Sequence, residues 1–387
     1  MQETPRAEAA ATAVYIHIPF CTNKCHYCDF NSYVLKDQPV MEYLDALERE
    51  MELTVRQYPV EKVETIFVGG GTPTVLLPNQ MERFLNMVRT YFPVDPEQVE
   101  FSMEANPGTT DEEKLAAMKE GGVNRISFGV QSFNNELLAA IGRIHNTDDV
   151  YRSLENAKKL GFRNLSIDLM FGLPKQTVEI MKATLQEALA LDLQHYSIYS
   201  LKVEENTLFH TLFQRNQLPL PSEEEEVDMY LLIMQTLMEA GYGQYEISNF
   251  AKPGFESRHN SKYWLNHSYY GLGAGAHGYM RGQRHMNIKG IQPYIDATKS
   301  GLPVMEQFEV TRQEAMEDFM MVGLRMLKGV NNADFSQQFG SKIEEHFEQA
   351  LTKWLNAKLL ERTEEDGYRL SKEGILLGNE VFASFLS

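Results

Sequence analysis

Residues 13–28 read AVYIHIPFCTNKCHYC, a stretch of apolar and β-branched residues that runs directly into three closely spaced cysteines. The first part predicts a buried strand, which places Cys21, Cys25 and Cys28 in the loop after it. The chain has only these three cysteines. An odd group this tight cannot form a disulfide framework, so we interpret the thiols as ligands or nucleophiles in a reducing compartment.

Five further stretches of this kind follow, each separated from the next by an amphipathic helical pattern. The six candidate strands cover 13–20, 65–72, 99–107, 125–132, 164–174 and 195–205. Short strands that alternate with longer helices are typical of a parallel sheet. The pattern predicts an α/β fold, a partial (β/α)6 barrel of the TIM type, with functional groups at the C-terminal ends of its strands.

The patterning changes twice along the chain and predicts three parts. Residues 1–250 form the barrel, and 251–310 form an interdomain segment rich in glycine, histidine and aromatic residues. Residues 311–387 read as a small, mostly helical, winged-helix-like domain in which two short strands flank Glu365-Asp366-Gly367. DNA binding is common for such a fold, but fold alone does not assign function.

The charge balance excludes two classes of partner. Asp and Glu number 54 against 36 for Lys and Arg, which gives a net charge of −18. Such a surface repels nucleic acid and anionic lipid headgroups. The first dozen residues, MQETPRAEAAAT, do not resemble a signal peptide, and no apolar run approaches the roughly 18 residues of a transmembrane helix. We therefore expect a cytoplasmic protein.

Three thiolates can hold a 4Fe-4S cluster and leave one iron without a protein ligand. That iron can chelate the amino and carboxylate groups of an amino acid, such as the methionine end of S-adenosylmethionine. Two simpler interpretations compete: a structural zinc site completed by His17 or His26, or three buried thiols that bind nothing.

The spacing Cys-x3-Cys-x2-Cys after a first barrel strand resembles the radical S-adenosylmethionine (SAM) superfamily. This resemblance implies that the reduced cluster cleaves the cofactor to methionine and a 5′-deoxyadenosyl radical. Two further stretches, Tyr15-Ile-His-Ile-Pro-Phe-Cys21 and Gly69-Gly70-Gly71-Thr72-Pro73, resemble the family of oxygen-independent coproporphyrinogen oxidases.

The SAM pocket is predicted from strand ends and from this resemblance. Glycines directly after a strand let backbone amides approach the methionine end of the cofactor, although a tight turn alone would also need them. Polar residues at the ends of the next strands can contact ribose or adenine, or they can have all their hydrogen bonds within the rim of the barrel. The resemblance adds Arg143 to this set and implies a second SAM pocket. The predicted set is Tyr15, Tyr27, Gly70, Gly71, Thr72, Glu104, Gln131, Arg143 and Asp168.

The sequence departs from the oxidases at Asp29 and Phe30, because the oxidases have a further cysteine shortly after the motif. Their N-terminal extension is also expected to be missing. With these differences the sequence resembles the HemW-type haem chaperones. The segment that carries this resemblance is His259-Asn260-Ser-Lys-Tyr263-Trp264.

That resemblance implies haem binding by the segment, with His259 as axial ligand and the two aromatic rings on the porphyrin. The competing interpretation is that the segment packs the second domain onto the barrel. His267, His277 and His285 are nearby alternatives as ligand.

Three functions follow from these patterns. The first is a haem chaperone that carries a 4Fe-4S cluster and SAM, delivers haem to respiratory or other haem proteins, and uses a low-potential electron donor such as flavodoxin or ferredoxin. The second is oxidative decarboxylation of coproporphyrinogen III to protoporphyrinogen IX. The third is a non-catalytic zinc or interaction module.

Overall fold

The computed structural model describes residues 10–387, so most of the N-terminal dozen discussed above lies outside the described residues. Six strands form the barrel wall, and each falls within one of the six candidate stretches. They are β1 Ala13–Ile18, β2 Thr65–Gly70, β3 Glu100–Ala105, β4 Arg125–Gln131, β5 Asn164–Phe171 and β6 His195–Ser200. Consecutive strands pair in parallel. The predicted fold class is confirmed.

Helices cover the outer face of these strands, because alternate strand residues such as Val14 and Ile16 are fully buried against them. The helices are α1 Val40–Gln57, α2 Pro78–Tyr91, α3 Glu112–Glu120, α4 Asn135–Ala140, α5 Thr147–Lys159, α6 Val178–Ala190, α7 Leu208–Gln214 and α8 Glu223–Glu239. Six of them correspond to the predicted helical patterns, whereas the short α4 and α7 were not predicted.

The main sheet continues beyond the barrel strands on both sides. The added elements are β7 Gly243–Gln244, β8 Asn249–Ala251, α9 Arg258–Trp264, β9 Tyr269–Leu272, β10 His277–Met280, β11 Gln283–Asn287, α10 Ile291–Ala297 and β12 Val304–Glu309. The order of the 12 strands is β12-β11-β10-β9-β1-β2-β3-β4-β5-β6-β8-β7. β9 joins β1 in parallel, and the strands outside it are antiparallel.

The segment 251–310 therefore contributes four strands to the main sheet, where the sequence suggested only a connection. Two of its strands are four residues long and contain a glycine, and the other two are mostly polar and little buried. They therefore show too little apolar alternation to be recognised by period. The predicted division of the chain at residues 250 and 310 stays a prediction.

The C-terminal part has an apolar core of its own, centred on Phe335, Trp354 and Phe385. Its elements are α11 Arg312–Gly323, β13 Val330–Asn331, α12 Asn332–Phe339, α13 Glu344–Asn356, β14 Leu360–Thr363, β15 Gly367–Leu370, α14 Lys372–Leu376 and α15 Gly378–Ala383. The two predicted strands pair as a hairpin around Asp366, which has the positive φ that such a tight turn requires. The prediction of a mostly helical domain is confirmed.

From Ala11 to the C-terminus, none of the described helices is both long enough and apolar enough to cross a bilayer.

Candidate cofactor site at the barrel mouth

The cysteine loop leaves the C-terminal end of β1 and is tied back to the protein at both of its ends. Tyr33 N–H donates to the Pro19 carbonyl at 2.7 Å, and Leu35 N–H donates to the Cys21 carbonyl at 2.8 Å. Inside the loop the Lys24 ammonium donates to the Phe30 carbonyl at 3.0 Å. The loop thus has a fixed course before any ligand binds.

All three thiols are free and half-buried. Cys28 N–H donates to the Cys25 carbonyl at 3.3 Å, which turns the chain between them. Burial raises the pKa of Cys21 and of Cys28, and the neighbouring Cys25 raises both further. The three sulfurs therefore share one environment. Among residues 10–387, no three His, Cys, Asp or Glu side chains already stand in a metal-binding arrangement, so ligation requires the thiols to turn toward one another.

A continuous set of hydrogen bonds joins the loops after the first four strands. Thr72 Oγ1 donates to Cys21 Sγ at 3.6 Å and accepts from Asn106 Nδ2 at 2.7 Å. Arg143 then donates from Nη2 to Asn106 Oδ1 at 2.9 Å and from Nη1 to Cys25 Sγ at 3.5 Å. We call these five residues the mouth ring; it begins and ends on a thiol.

The mouth ring fits an anionic iron–sulfur group. Arg143 is half-buried among the strand ends, and its Nε is a buried atom with no hydrogen-bond partner. A guanidinium beside sulfur supplies a positive charge that would pair with an anionic cluster. A spare donor in a buried site is otherwise costly, so it indicates a ligand group that accepts from it.

Packing requires glycine at two positions of the loop after β2, and the same loop is suited to bind a ligand. Gly70 has φ of 110°, and a Cβ there would lie 2.5 Å from the His17 ring. A Cβ on Gly71 would lie 2.6 Å from the Phe20 carbonyl oxygen. The Gly70 N–H donates to Glu104 Oε2 at 3.1 Å. The tight-turn interpretation therefore holds, and the loop lies against the predicted carboxylate.

Two buried carboxyl groups face the barrel interior next to this loop. Burial, together with the charge of Asp168, raises the pKa of Glu104 to about 8. Burial also raises the pKa of Asp168, while a 3.0 Å hydrogen bond from Ser127 Oγ opposes the shift. Gln131 ends β4 at a register shift and has φ of 68°, a conformation that non-glycine residues seldom adopt.

Tyr15 lies near Glu104, and Tyr27 lies near Arg143 and Asp168. The Tyr15 hydroxyl is 2.9 Å from His17 Nδ1, and its ring stacks on Phe67 with centroids 6.3 Å apart. Burial raises the pKa of Tyr27, which the nearby Arg143 opposes. The predicted SAM residues thus gather at the C-terminal ends of the strands. Asn106, which joins two of them, was not predicted, although a polar residue directly after β3 was the available signal.

The predicted haem-binding segment lies at the opposite, N-terminal end of the strands. His259 is 0% exposed, with Nδ1 2.9 Å from Thr65 Oγ1 and Nε2 2.8 Å from the Tyr263 hydroxyl. Its backbone N–H and that of Arg258 donate to the Glu100 carboxylate at 2.9 and 3.0 Å. We call His259, Thr65, Tyr263, Arg258 and Glu100 the base cluster. Burial lowers the pKa of His259 to about 3.

Neither ring nitrogen of His259 is free to bind iron in this arrangement. Trp264 lies beneath the guanidinium of Arg325 at 4.4 Å, so the segment also contacts the C-terminal helices. This geometry fits the packing interpretation. Iron ligation by His259 stays a prediction and requires one of its two ring hydrogen bonds to open. Of the nearby alternatives, His267 and His277 are exposed, and His285 is bonded to the Gly271 carbonyl at 3.3 Å.

Comparison with known proteins agrees with both parts of the chain. Residues 15–188 match the radical SAM superfamily, and 310–377 match the HemN C-terminal domain. "Heme chaperone HemW" of Bacillus subtilis is 46% identical over 375 residues, which cover 97% of this chain and 99% of that protein. The Escherichia coli K12 protein of the same name is 42% identical over 267 residues, 69% of each chain.

Among solved structures, the E. coli coproporphyrinogen III oxidase HemN superposes with a TM-score of 0.85. The two chains are 25% identical, and the match covers 98% of this chain and 90% of that one.

Proposed function

Because this chain belongs to the HemW family of haem chaperones within the radical SAM superfamily, we propose that it binds haem and delivers it to haem proteins such as respiratory enzymes. The observation that carries the cofactor part is the mouth ring, in which Arg143 and Thr72 each donate to a cysteine sulfur. A cation and a hydroxyl that donate to sulfur fit an anionic metal–thiolate group, so these contacts support a metal cluster over inert thiols.

We assign Cys21, Cys25 and Cys28 as the ligands of a 4Fe-4S cluster. Such a cluster, when bound, supplies one electron at low potential and an open iron for SAM. Thr72 and Arg143 would hold two of the thiolates in place from the loops after β2 and β4.

The remaining predicted residues would hold SAM itself. The backbone of Gly70 and Gly71 would hold the methionine end, and Glu104, which accepts from the Gly70 N–H, and Asp168 would accept from the ribose. A carboxyl group that is uncharged near neutral pH can also donate a hydrogen bond, which suits Glu104 to a ligand with both donors and acceptors. Tyr15, Tyr27, Gln131 and Arg143 complete the proposed pocket.

One anaerobic experiment tests the whole proposal. Protein with a reconstituted cluster should contain iron and acid-labile sulfide and show the brown absorbance of a cluster. Titration with haemin should give a Soret band at one equivalent. Transfer of that haem to an apo-haem protein should then remove the band. Zinc without sulfide would eliminate the radical SAM assignment, and no Soret band would eliminate the chaperone.

Coproporphyrinogen decarboxylation is the second candidate. The set of polar residues at the mouth of the barrel favours it. Against it, Asp29 and Phe30 follow Cys28 where the oxidases continue with another cysteine. We expect no turnover when the reconstituted protein is given reductant, SAM and coproporphyrinogen III. Formation of protoporphyrinogen IX with 5′-deoxyadenosine would reverse the order of the two candidates.

The proposed partners are haem-accepting proteins and a low-potential donor such as flavodoxin or ferredoxin. The three unpaired thiols fit a reducing compartment, so we keep the cytoplasm as the expected location.

A further inference from the structure

Residues 31–34, which we call the return arm, lead the chain out of the cysteine loop. Asn31 donates from Nδ2 to the carbonyls of Ala274 and Lys289, at 2.8 and 3.1 Å. Ala274 follows β9 and Lys289 follows β11. The segment 251–310 therefore supports the cysteine loop from outside the six barrel strands.

The return arm is also bonded to the cysteine loop itself. Phe20–Cys21 and Tyr33–Val34 form a short parallel pair. The Lys24 ammonium donates to the Ser32 carbonyl at 3.4 Å. These contacts hold the backbone of Ser32 next to Cys21, and none of them uses the Ser32 hydroxyl.

The Ser32 hydroxyl is a buried donor without an acceptor. Ser32 is 8% exposed, and its Oγ has no hydrogen-bond partner in the part of the chain that the structure describes. It lies near enough to Cys21 to oppose the rise in the pKa of that thiol. A buried hydroxyl without a partner is costly, and a neutral thiol is a weak acceptor. A sulfur that carries the negative charge of a metal thiolate is a stronger acceptor.

The donors of the mouth ring leave room for one more hydrogen bond at Cys21. Thr72 reaches Cys21 Sγ from the loop after β2, at 3.6 Å. Arg143 donates to the Cys25 sulfur from beyond β4. Ser32 belongs to neither loop, so its hydroxyl approaches Cys21 from a third part of the chain. Two hydroxyls thus lie beside one sulfur.

We propose that Ser32 is a positioning residue of the cluster site, which donates a hydrogen bond to the Cys21 sulfur when the cluster is bound and raises the cluster's reduction potential. This inference rests on the proposed 4Fe-4S cluster and adds a residue that tunes it. Hydrogen bonds to the sulfurs are among the factors that set the potential of such clusters. They stabilise the reduced state more than the oxidised one, because the reduced cluster carries one more negative charge.

The reduction potential of the reconstituted cluster tests this role. In Ser32→Ala, the ratio of reduced to oxidised cluster at a fixed applied potential should fall by about three- to tenfold, since one hydrogen bond is lost. Ser32→Thr keeps the hydroxyl and should keep the wild-type ratio. Ser102→Ala is the matched control and should also keep it. Ser102 Oγ is likewise buried and has no partner among the described residues, but Ser102 pairs with Arg125, at the N-terminal end of β4.

A second measurement does not depend on the cluster. Because the hydroxyl of Ser32 has no partner of its own, iron-free Ser32→Ala should melt at or above the temperature of the iron-free wild type. A lower melting temperature would show that Ser32 stabilises the loop instead, and would overturn the assignment. A wild-type potential in Ser32→Ala, or the same shift in Ser32→Thr or Ser102→Ala, would overturn it as well. If the wild type held no iron and sulfide, the proposed cluster would fail instead, so the two failures are distinguishable.

Discussion

The two ends of the barrel strands are both rich in polar residues, yet they differ in whether these residues satisfy one another. In the base cluster, both nitrogens of His259 and both oxygens of Glu100 have partners within the protein. In the mouth ring, Arg143 has a buried nitrogen without a partner, and beside it the charge of Asp168 helps to raise the pKa of Glu104. A satisfied cluster stabilises the fold, whereas an incompletely satisfied one is suited to a ligand.

The largest effect is expected from removal of the three thiols. The triple Cys21→Ala, Cys25→Ala, Cys28→Ala variant should lose the cluster and all SAM binding, because the ligands have no substitutes nearby. Its barrel should remain folded, since the loop lies outside the apolar core. Iron and sulfide analysis with circular dichroism checks both statements. Asp29→Asn, an exposed change in the same loop, should keep the cluster; an unfolded triple variant would show that the mouth also stabilises the fold.

A pH dependence should distinguish the base cluster from an exposed site. In the folded protein the pKa of His259 is about 3, below its ordinary value of about 6.5, so only the unfolded chain takes up a proton between these values. The stability due to His259 is complete above about pH 6.5 and falls as pH decreases, by about 1.4 kcal/mol per pH unit.

Denaturant titrations of the wild type and of His259→Gln at pH 4 to 7 measure this difference. The wild type should lose its advantage over the variant as the pH falls. A difference that stays constant with pH would mean that His259 titrates normally, and it would favour His259 as an accessible ligand.

Glu100→Gln should weaken the base cluster without affecting the mouth. An amide in place of the carboxylate leaves one buried N–H of α9 without an acceptor, which costs about 1–3 kcal/mol of the free energy of unfolding. Cluster content and haemin affinity should be unchanged. Glu97→Gln, an exposed change at the same end of β3, serves as the control. Loss of the cluster in Glu100→Gln would contradict the separation of the two ends.

The smallest effect concerns one hydroxyl of the mouth ring. Thr72→Val removes the group that donates to Cys21 Sγ and accepts from Asn106 Nδ2. Hydrogen bonds to cluster sulfurs raise the reduction potential, so we expect a more negative potential and a stability loss of about 1 kcal/mol. Thr74→Val is the matched control, because Thr74 bonds Thr109 at 2.6 Å and touches no sulfur. Equal potentials in the two variants would remove Thr72 from the cluster environment.

The sequence was sufficient to predict the six barrel strands, because their alternating or continuous apolar runs have the length of buried strands and are separated by clear helical periods. It also predicted which strand ends carry polar groups. It did not identify Asn106, whose importance comes from contacts with Thr72 and Arg143, 34 and 37 residues away. Hydrogen-bond partners this distant along the chain leave no periodic signal.

The base cluster also shows what sequence alone cannot predict. A motif containing histidine, tyrosine and tryptophan has the composition of a ligand site and of a packed core alike. Only the positions of Thr65 and Glu100, on two different strands, show that the polar groups of His259 are already paired. The strands of 269–309 were missed for a different reason, since two are only four residues long and the other two are mostly polar and little buried.

The mouth ring joins residues that lie far apart in the sequence. Cys25 and Arg143 are 118 residues apart in the chain, and Cys21 and Thr72 are 51 apart. These contacts form only after the first four strands have paired, so a nascent chain has the thiols but not their donors. A cluster bound before these strands pair would therefore lack the donors that Thr72 and Arg143 provide at the cysteine sulfurs.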